Sequence, residues 1–257
     1  MTITFLASGS EGNATLVRSG ETRILVDCGL SVRDLTARMK QVGEDVNDIT
    51  CVLCSHAHVD HAGGFARLLR HFAKRGCSIP IWATSLTAEV INWGGFEMPP
   101  VVKFEAGKAL YFGEIKVRSL SVSHDCVEPL AFTFETNTMK FGMANDLGYV
   151  PDALRARFRG CDLVYIESNH DVSRLANGDY PLPLKERISG RNGHLSNSDA
   201  ARFIEDDLDD SVRTLVLGHL SKANNNPRVC RESALEALKG RKVDLRIATQ
   251  DEVLTIL

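Results

Sequence analysis

No stretch of the chain approaches the roughly 20 consecutive apolar residues that a membrane-spanning helix requires, so no membrane partner is expected. The opening MTITFLASGSEGN has no basic residue and no long apolar run, and does not read as an export signal. Seven cysteines, an odd count at irregular spacing, exclude a fully paired disulfide framework and fit a reducing, cytoplasmic setting. Cys51 and Cys54 have no second C-x-x-C to accompany them, which removes a zinc ribbon; in the apolar run ITCVLCSH they read as buried strand cysteines. Neither sign of charge is in excess: the formal net charge is −3, with 25% charged residues. That gives no global attraction to nucleic acid and leaves room for a local basic groove. Repeats, low-complexity tracts and Pro/Ser-rich linkers are missing as well. With 44% hydrophobic residues in 257, the chain can build a substantial core, and residues 1–257 are expected to form one domain.

What is present is a succession of short β-rich runs and helical patterns. TITFLAS, ATLVRS and TRILVDCG are separated by turn residues, as in a meander. SVRDLTARMKQVG and GGFARLLRHFAKRG carry apolar residues at helical spacing on either side of the strand DITCVLCS. PIWATS predicts a strand before a helix near 86–93, and IKVRSLSVSH alternates. A hairpin is expected about Thr136–Thr138, a helix after Ser196 or Asn197, and another from Pro227 to Gly240. CDLVYIESNH and RTLVLGHLS read as strands, and VDLRIATQDEVLTIL closes the chain with one more. Strands in two batches with helices between them suggest two packed sheets with helices outside.

Eight histidines are present, and three of them join an aspartate in the six residues HAHVDH, 56 to 61. In an extended loop His56 and His58 project the same way, so both can bind one metal ion. Asp60 and His61 can feed a second. Each ion needs further ligands, and several apolar runs end in a residue able to supply one: Asp27, His56, His124, Asp146, Glu167 and His219. His124 would complete the first site, His219 the second, and Asp146 would bridge them. Histidine and carboxylate without thiolate suit zinc, manganese or iron.

These motifs carry a resemblance. SHAHVDH is similar to the H-x-H-x-D-H signature of the metallo-β-lactamase superfamily, and LVDCG, VSHD, ANDLG and LGHLS follow in that family's order. The stretches ASGSEGNATL, VSHDCVEPLAFTF, DLGYV, ESNHDV, YPLPLKERISGRNGHLSN and LGHLSKANNN resemble the WalJ/YycJ-type group within it, from about residue 5 to 226. The resemblance implies an α/β fold, the αββα four-layer sandwich, with two divalent metal ions at the sheet edge. It implies phosphodiesterase chemistry, with a metal-bridging hydroxide as nucleophile, Asp60 among the catalytic groups and 5′→3′ exonuclease action on DNA ends. Asn145 departs from the Thr or Gly usual in ANDLG, leaving Asp146 intact.

His194 in NGHLSN resembles the histidine of the H-S-T element of ribonuclease Z, which implies a general acid for the leaving oxygen. Glu167 and His170 would support that proton relay. Asp27 is expected to orient a ligand rather than bind metal; Asp125 reads either that way or as a solvated loop acid. Lys222 and Asn224 in SKANNN are expected to touch substrate. The basic runs RLLRHFAKR, RARFRG and KERISGR read either as tracks for a DNA backbone or as solvated helix faces. Two other functions compete: a small-molecule metallohydrolase of the same fold, acting on cyclic phosphodiesters, thioesters or lactams, and a metal-binding module without turnover. Oligomeric state is left open, a homo-oligomer included.

Overall fold

Alternation along the strands sends neighbouring side chains to opposite faces. In the computed structural model, which describes residues 1–97 and 99–257, this pattern sorts the apolar residues into three cores. The first half opens with β1 (Thr2–Ala7), β2 (Ala14–Ser19) and β3 (Thr22–Val26), an antiparallel meander. Helix α1 (Val32–Gln41) follows, capped by the Ser31 side chain on Asp34 N, then strand β4 (Cys51–Leu53). Two short helices, α2 (Val59–Ala62) and α3 (Phe65–Ala73), precede β5 (Ile81–Ala83), α4 (Ser85–Val90) and β6 (Val101–Lys103). The second half contains β7 (Ala109–Phe112), β8 (Ile115–Ser121), β9 (Leu130–Glu135), β10 (Lys140–Ala144), α5 (Asp152–Phe158) and β11 (Leu163–Glu167). It continues through α6 (Val172–Asn177), α7 (Leu182–Ser189), α8 (Asn197–Asp206), β12 (Thr214–Gly218), α9 (Pro227–Leu238), β13 (Asp244–Ile247) and β14 (Leu254–Ile256).

Two seven-stranded sheets result, ordered β14-β1-β2-β3-β4-β5-β6 and β13-β12-β11-β10-β9-β8-β7. Ile3, Phe5, Val17 and Ile24 of the first sheet meet Val117, Phe132, Phe134, Phe141 and Tyr165 of the second in a central core. The alternate residues Leu16, Leu25 and Val52 face outward onto Leu35, Phe65 and Leu68 of α1 and α3. Val164, Ile166, Leu215 and Leu217 do the same onto Leu154, Phe203, Ala234 and neighbours from α5, α8 and α9. Helix, sheet, sheet, helix is the expected four-layer sandwich. Cys51 and Cys54 are buried, as their apolar surroundings predict.

Three local expectations are refined. The C-terminal run is two strands in different sheets: β13 pairs in parallel with β12, and β14 pairs antiparallel with β1. The intervening segment crosses between sheets where Ser8 N donates to Thr249 O (3.0 Å) and Gln250 bonds the turn at Glu11 and Gly12. The helix expected near 86–93 ends at Val90, and Ser196, not Asn197, caps α8 in a reciprocal box with Asp199. Among the described residues, no helix is long and apolar enough to cross a membrane.

Candidate metal centre

Strands β3–β4 and β10–β11–β12 run parallel, so their carboxyl ends share an edge of each sheet. That is where parallel sheets build sites. Asp27 follows β3, Ser55 and His56 follow β4, Asp146 follows β10, Glu167 ends β11 and His219 follows β12. Asp27, Asp146 and His219 have φ of 60°, 52° and 54°, a left-handed conformation uncommon for residues other than glycine. Such strain concentrates at functional sites and persists where surrounding bonds over-determine it. Here Asp27 N donates to Leu53 O (2.8 Å), His219 N donates to Ser8 Oγ (2.7 Å), and His219 O accepts from Asn169 Nδ2 (2.9 Å).

The HAHVDH loop turns sharply because His58 starts the one-turn helix α2, bringing His61 round beneath it. Close packing holds the turn: a Cβ on Gly29 would lie 1.8 Å from Asp60 O. His56, His58 and His124 then offer ligand atoms within 4.8 Å of one another, as do Asp60, His61, Asp146 and His219. Asp146 touches both groups. Its Oδ2 is 2.9 Å from His61 Nε2, and its Oδ1 is 3.1 Å from His219 Nε2 and 3.7 Å from His124 Nε2.

The ring nitrogens facing away from this cluster are engaged. His61 Nδ1 bonds Asp27 Oδ2 (2.7 Å), and Ser55 Oγ links the same carboxylate (2.7 Å) to His56 Nδ1 (3.0 Å). His124 Nδ1 donates to Gly193 O (3.0 Å), and His219 Nδ1 bonds Asn13 Oδ1 (3.2 Å). Partners of this kind fix the tautomer and leave Nε2 free for a metal. Asp27 therefore orients two histidines, one directly and one through Ser55. Among the described residues, buried His56 Nε2 has no hydrogen-bond partner, as an atom reserved for a cation would.

Electrostatics agree. Burial, then the charge of His61, holds His56 well below the ordinary imidazole range, in the neutral form that binds metal. Burial would raise Asp146, but His219 and His61 override it and keep it ionised. Burial would lower His61, yet Asp146 and Asp27 raise it well above its ordinary value; the pocket demands positive charge. Burial pushes the neighbouring Cys28 thiol up to about 12, so it is no competing thiolate. The donor set fits divalent ions of the imidazole–carboxylate class.

His194 stands at the edge, its Nδ1 2.6 Å from Glu167 Oε1 and 3.5 Å from Asp146 Oδ1. Glu167 is wholly buried and accepts Leu147 N (3.0 Å) and Leu195 N (3.3 Å) at its other oxygen. Burial alone would lower His194; Glu167, by charge and hydrogen bond, and then Asp146 raise it to about 9. Two cavities meet at this ring. One of about 210 Å³ is lined by Tyr180, Arg187 and Asp125, and one of about 460 Å³ by His170, Leu175 and Leu182.

The other expected residues are placed differently. His170 is buried, and among the described residues it bonds neither Glu167 nor His194 through its side chain; its Nδ1 has no partner. Asn224 is 2% exposed, its backbone tied to Ser221 Oγ and Asp171 N, so its side chain is not presented to a substrate. Lys222 is half exposed and paired with Glu11 and Asp251. Asp125 is no solvated acid: it pairs with Arg187 and lies 3.4 Å from His124 and 3.8 Å from His58. Ser8, Asn13, Ser55 and Tyr165 were not anticipated. Ser8 and Asn13 belong to ASGSEGN, whose density of polar turn residues is the available signal; Tyr165 bonds Ser8 (2.9 Å) and Asn145 (3.0 Å) behind His219.

The comparisons agree with this geometry. The family profile described as the beta-lactamase superfamily domain matches residues 22–220. The exodeoxyribonuclease YycJ of Bacillus anthracis is 36% identical over 236 residues, 91% of this chain and 88% of that protein. The exodeoxyribonuclease WalJ of Streptococcus pneumoniae is 34% identical over 224 residues, 86% and 81% of the two chains. The crystal structure of the metallo-beta-lactamase fold protein YhfI from Bacillus subtilis superposes with a TM-score of 0.78, at 18% identity, over 99% of each chain. The chain thus belongs to the metallo-β-lactamase superfamily, in its WalJ/YycJ-type group, and is a metal-dependent hydrolase.

Proposed function

We propose that the protein is a dinuclear metal-dependent phosphodiesterase that shortens DNA from its ends, in the 5′→3′ direction. The observation that carries the reading is Asp146, one buried carboxylate within reach of both ligand groups. His56, His58 and His124 would hold one ion, Asp60, His61 and His219 the other, and Asp146 would serve both. The substrate class comes from the two relatives named as exodeoxyribonucleases. When bound, such ions lower the pKa of water from 15.7 to about 7 and neutralise charge on a phosphodiester.

The chain's own residues do the rest. Asp27 and Ser55 hold the His56 and His61 rings in place. Glu167 keeps His194 protonated through Nδ1, which leaves Nε2–H to protonate the departing sugar oxygen. Zinc, manganese and iron all suit the donors, and the seven free cysteines suit a reducing cytoplasm. The test pairs end-labelled, 5′-phosphorylated DNA with bis-p-nitrophenyl phosphate, whose leaving group needs little protonation. His194→Ala should slow DNA cleavage by about 10²-fold or more and the reporter far less. Equal losses on both substrates contradict the general-acid role. Turnover of 2′,3′-cyclic nucleotides with no DNA shortening contradicts the DNA assignment.

A further inference from the structure

Beside the histidine loop lies a cavity of about 330 Å³ that the chemistry above does not use. Ala57, between His56 and His58, forms part of its wall with Val59, Gly63, Arg67, Arg70 and Asn92. Among the described residues, no carboxylate lines it. Arg67 is exposed and makes no ion pair or hydrogen bond among the described residues. Arg70 is held: its guanidinium donates to Gly94 O and lies 5.8 Å from the centre of the Phe96 ring. The 92–94 turn closes onto α3 only because residue 94 is glycine. Its φ is +61°, and a Cβ there would fall 2.8 Å from Ala66 Cβ and 2.9 Å from Arg70 Nη2.

We propose that this cavity binds a phosphate of the DNA strand next to the scissile one, with Arg67 as its free donor and Arg70 as its fixed wall. The proposal rests on the phosphodiesterase reading and adds where the strand runs. A DNA strand repeats the same anion along its length, so a strand crossing the metal centre carries further phosphates past the Ala57–Val59 loop. Guanidinium meets phosphate through charge-assisted hydrogen bonds, and an arginine already fixed loses little freedom on binding. A solvated helix face would not enclose a cavity between its arginines and a second segment, as α3 and the 92–94 turn do. Arg75, also exposed, lies beyond the end of α3, donates to His71 O (3.2 Å) and does not line the cavity. It supplies the control.

The experiment titrates the full chain, metal-loaded, with fluorescently labelled single-stranded DNA across a salt series. Arg67→Glu should weaken binding about tenfold, the scale of one charge-assisted hydrogen bond. The slope of log affinity against log salt should become shallower by about 0.7, the single-strand value for one phosphate. Arg75→Glu, the same change of charge outside the cavity, should leave both within twofold of the parent. Equal weakening by the two variants, or an unchanged affinity and slope for Arg67→Glu, overturns the proposal. Failure of the parent protein to turn over bis-p-nitrophenyl phosphate overturns the phosphodiesterase reading beneath it, a result seen without DNA.

Discussion

The metal cradle and the helix beside it are built on opposite principles. Asp27, His56, His61, Asp146, Glu167 and His219 are each 2% exposed or less. Helix α7 has no buried residue, yet contributes Leu184, Arg187 and Ile188 to one cavity at His194 and Leu182 and Lys185 to the other. Among the described residues, the ties of α7 and the 190–193 loop after it to the cradle are few: the Arg187–Asp125 pair, His194 N on Ile188 O (2.8 Å), and the bond from His124 Nδ1 to Gly193 O. A Cβ on Gly193 would meet Ile188 O at 2.1 Å, so that last tie needs glycine. The contrast separates two requirements. Ligands must be held before the metal arrives, against a strained backbone, by bonds that over-determine them. The wall of a substrate cavity needs only to be near, and marginal packing gives it low local stability.

The sharpest way to break the comparison is Asp146→Ala. Removing the carboxylate shared by both ligand groups should lower turnover of bis-p-nitrophenyl phosphate by about three orders of magnitude or more. Undiminished turnover would remove the metal assignment. Next is Asp27→Asn, which keeps the shape but loses the carboxylate that orients His61 and, through Ser55, His56. It should cost about 10- to 100-fold in metal affinity, read by competition with a chelating dye.

Glu167→Gln acts on pH. Glu167 raises His194 to about 9, so the proposed general-acid activity should be present below that value and lost as pH rises through it. Without the carboxylate, the alkaline limb of DNA cleavage should move down toward the ordinary 6.5; an unmoved limb would uncouple the pair. Smallest of all is Leu182→Ala in α7. At 66% exposure it should change thermal stability by less than about 0.5 kcal/mol, whereas Phe134→Ala in the central core should cost about 3–5 kcal/mol.

The same contrast explains what could be read from sequence. Period-two strands such as LAFTFE place Phe132 and Phe134 on one face, so the sheets and the central core are legible. His56, His58 and His61 are legible because one loop carries them, and His124, Asp146 and His219 because each ends an apolar run. The bonds that hold them are not, since Ser8 and Asn13 reach His219 from a turn distant in sequence, and polar turns carry no periodicity. Asn224 misleads for the reverse reason: a polar run reads as surface, while here its amide is buried. The division of the last run into β13 and β14 depends on which sheet each strand joins, and local pattern does not encode that. Of helix α7 only KERISGR is legible, with a solvated helix face as one of its two readings; with no buried residue, the helix has no apolar stripe to mark its bounds.

The most direct measurement strips the protein of metal and follows recovery of end-labelled DNA shortening as zinc or manganese is added back per chain. A dinuclear centre should give no activity at zero equivalents and a rise that saturates at two. Saturation at one equivalent, or shortening that survives chelation, would contradict a centre in which Asp146 serves two ions.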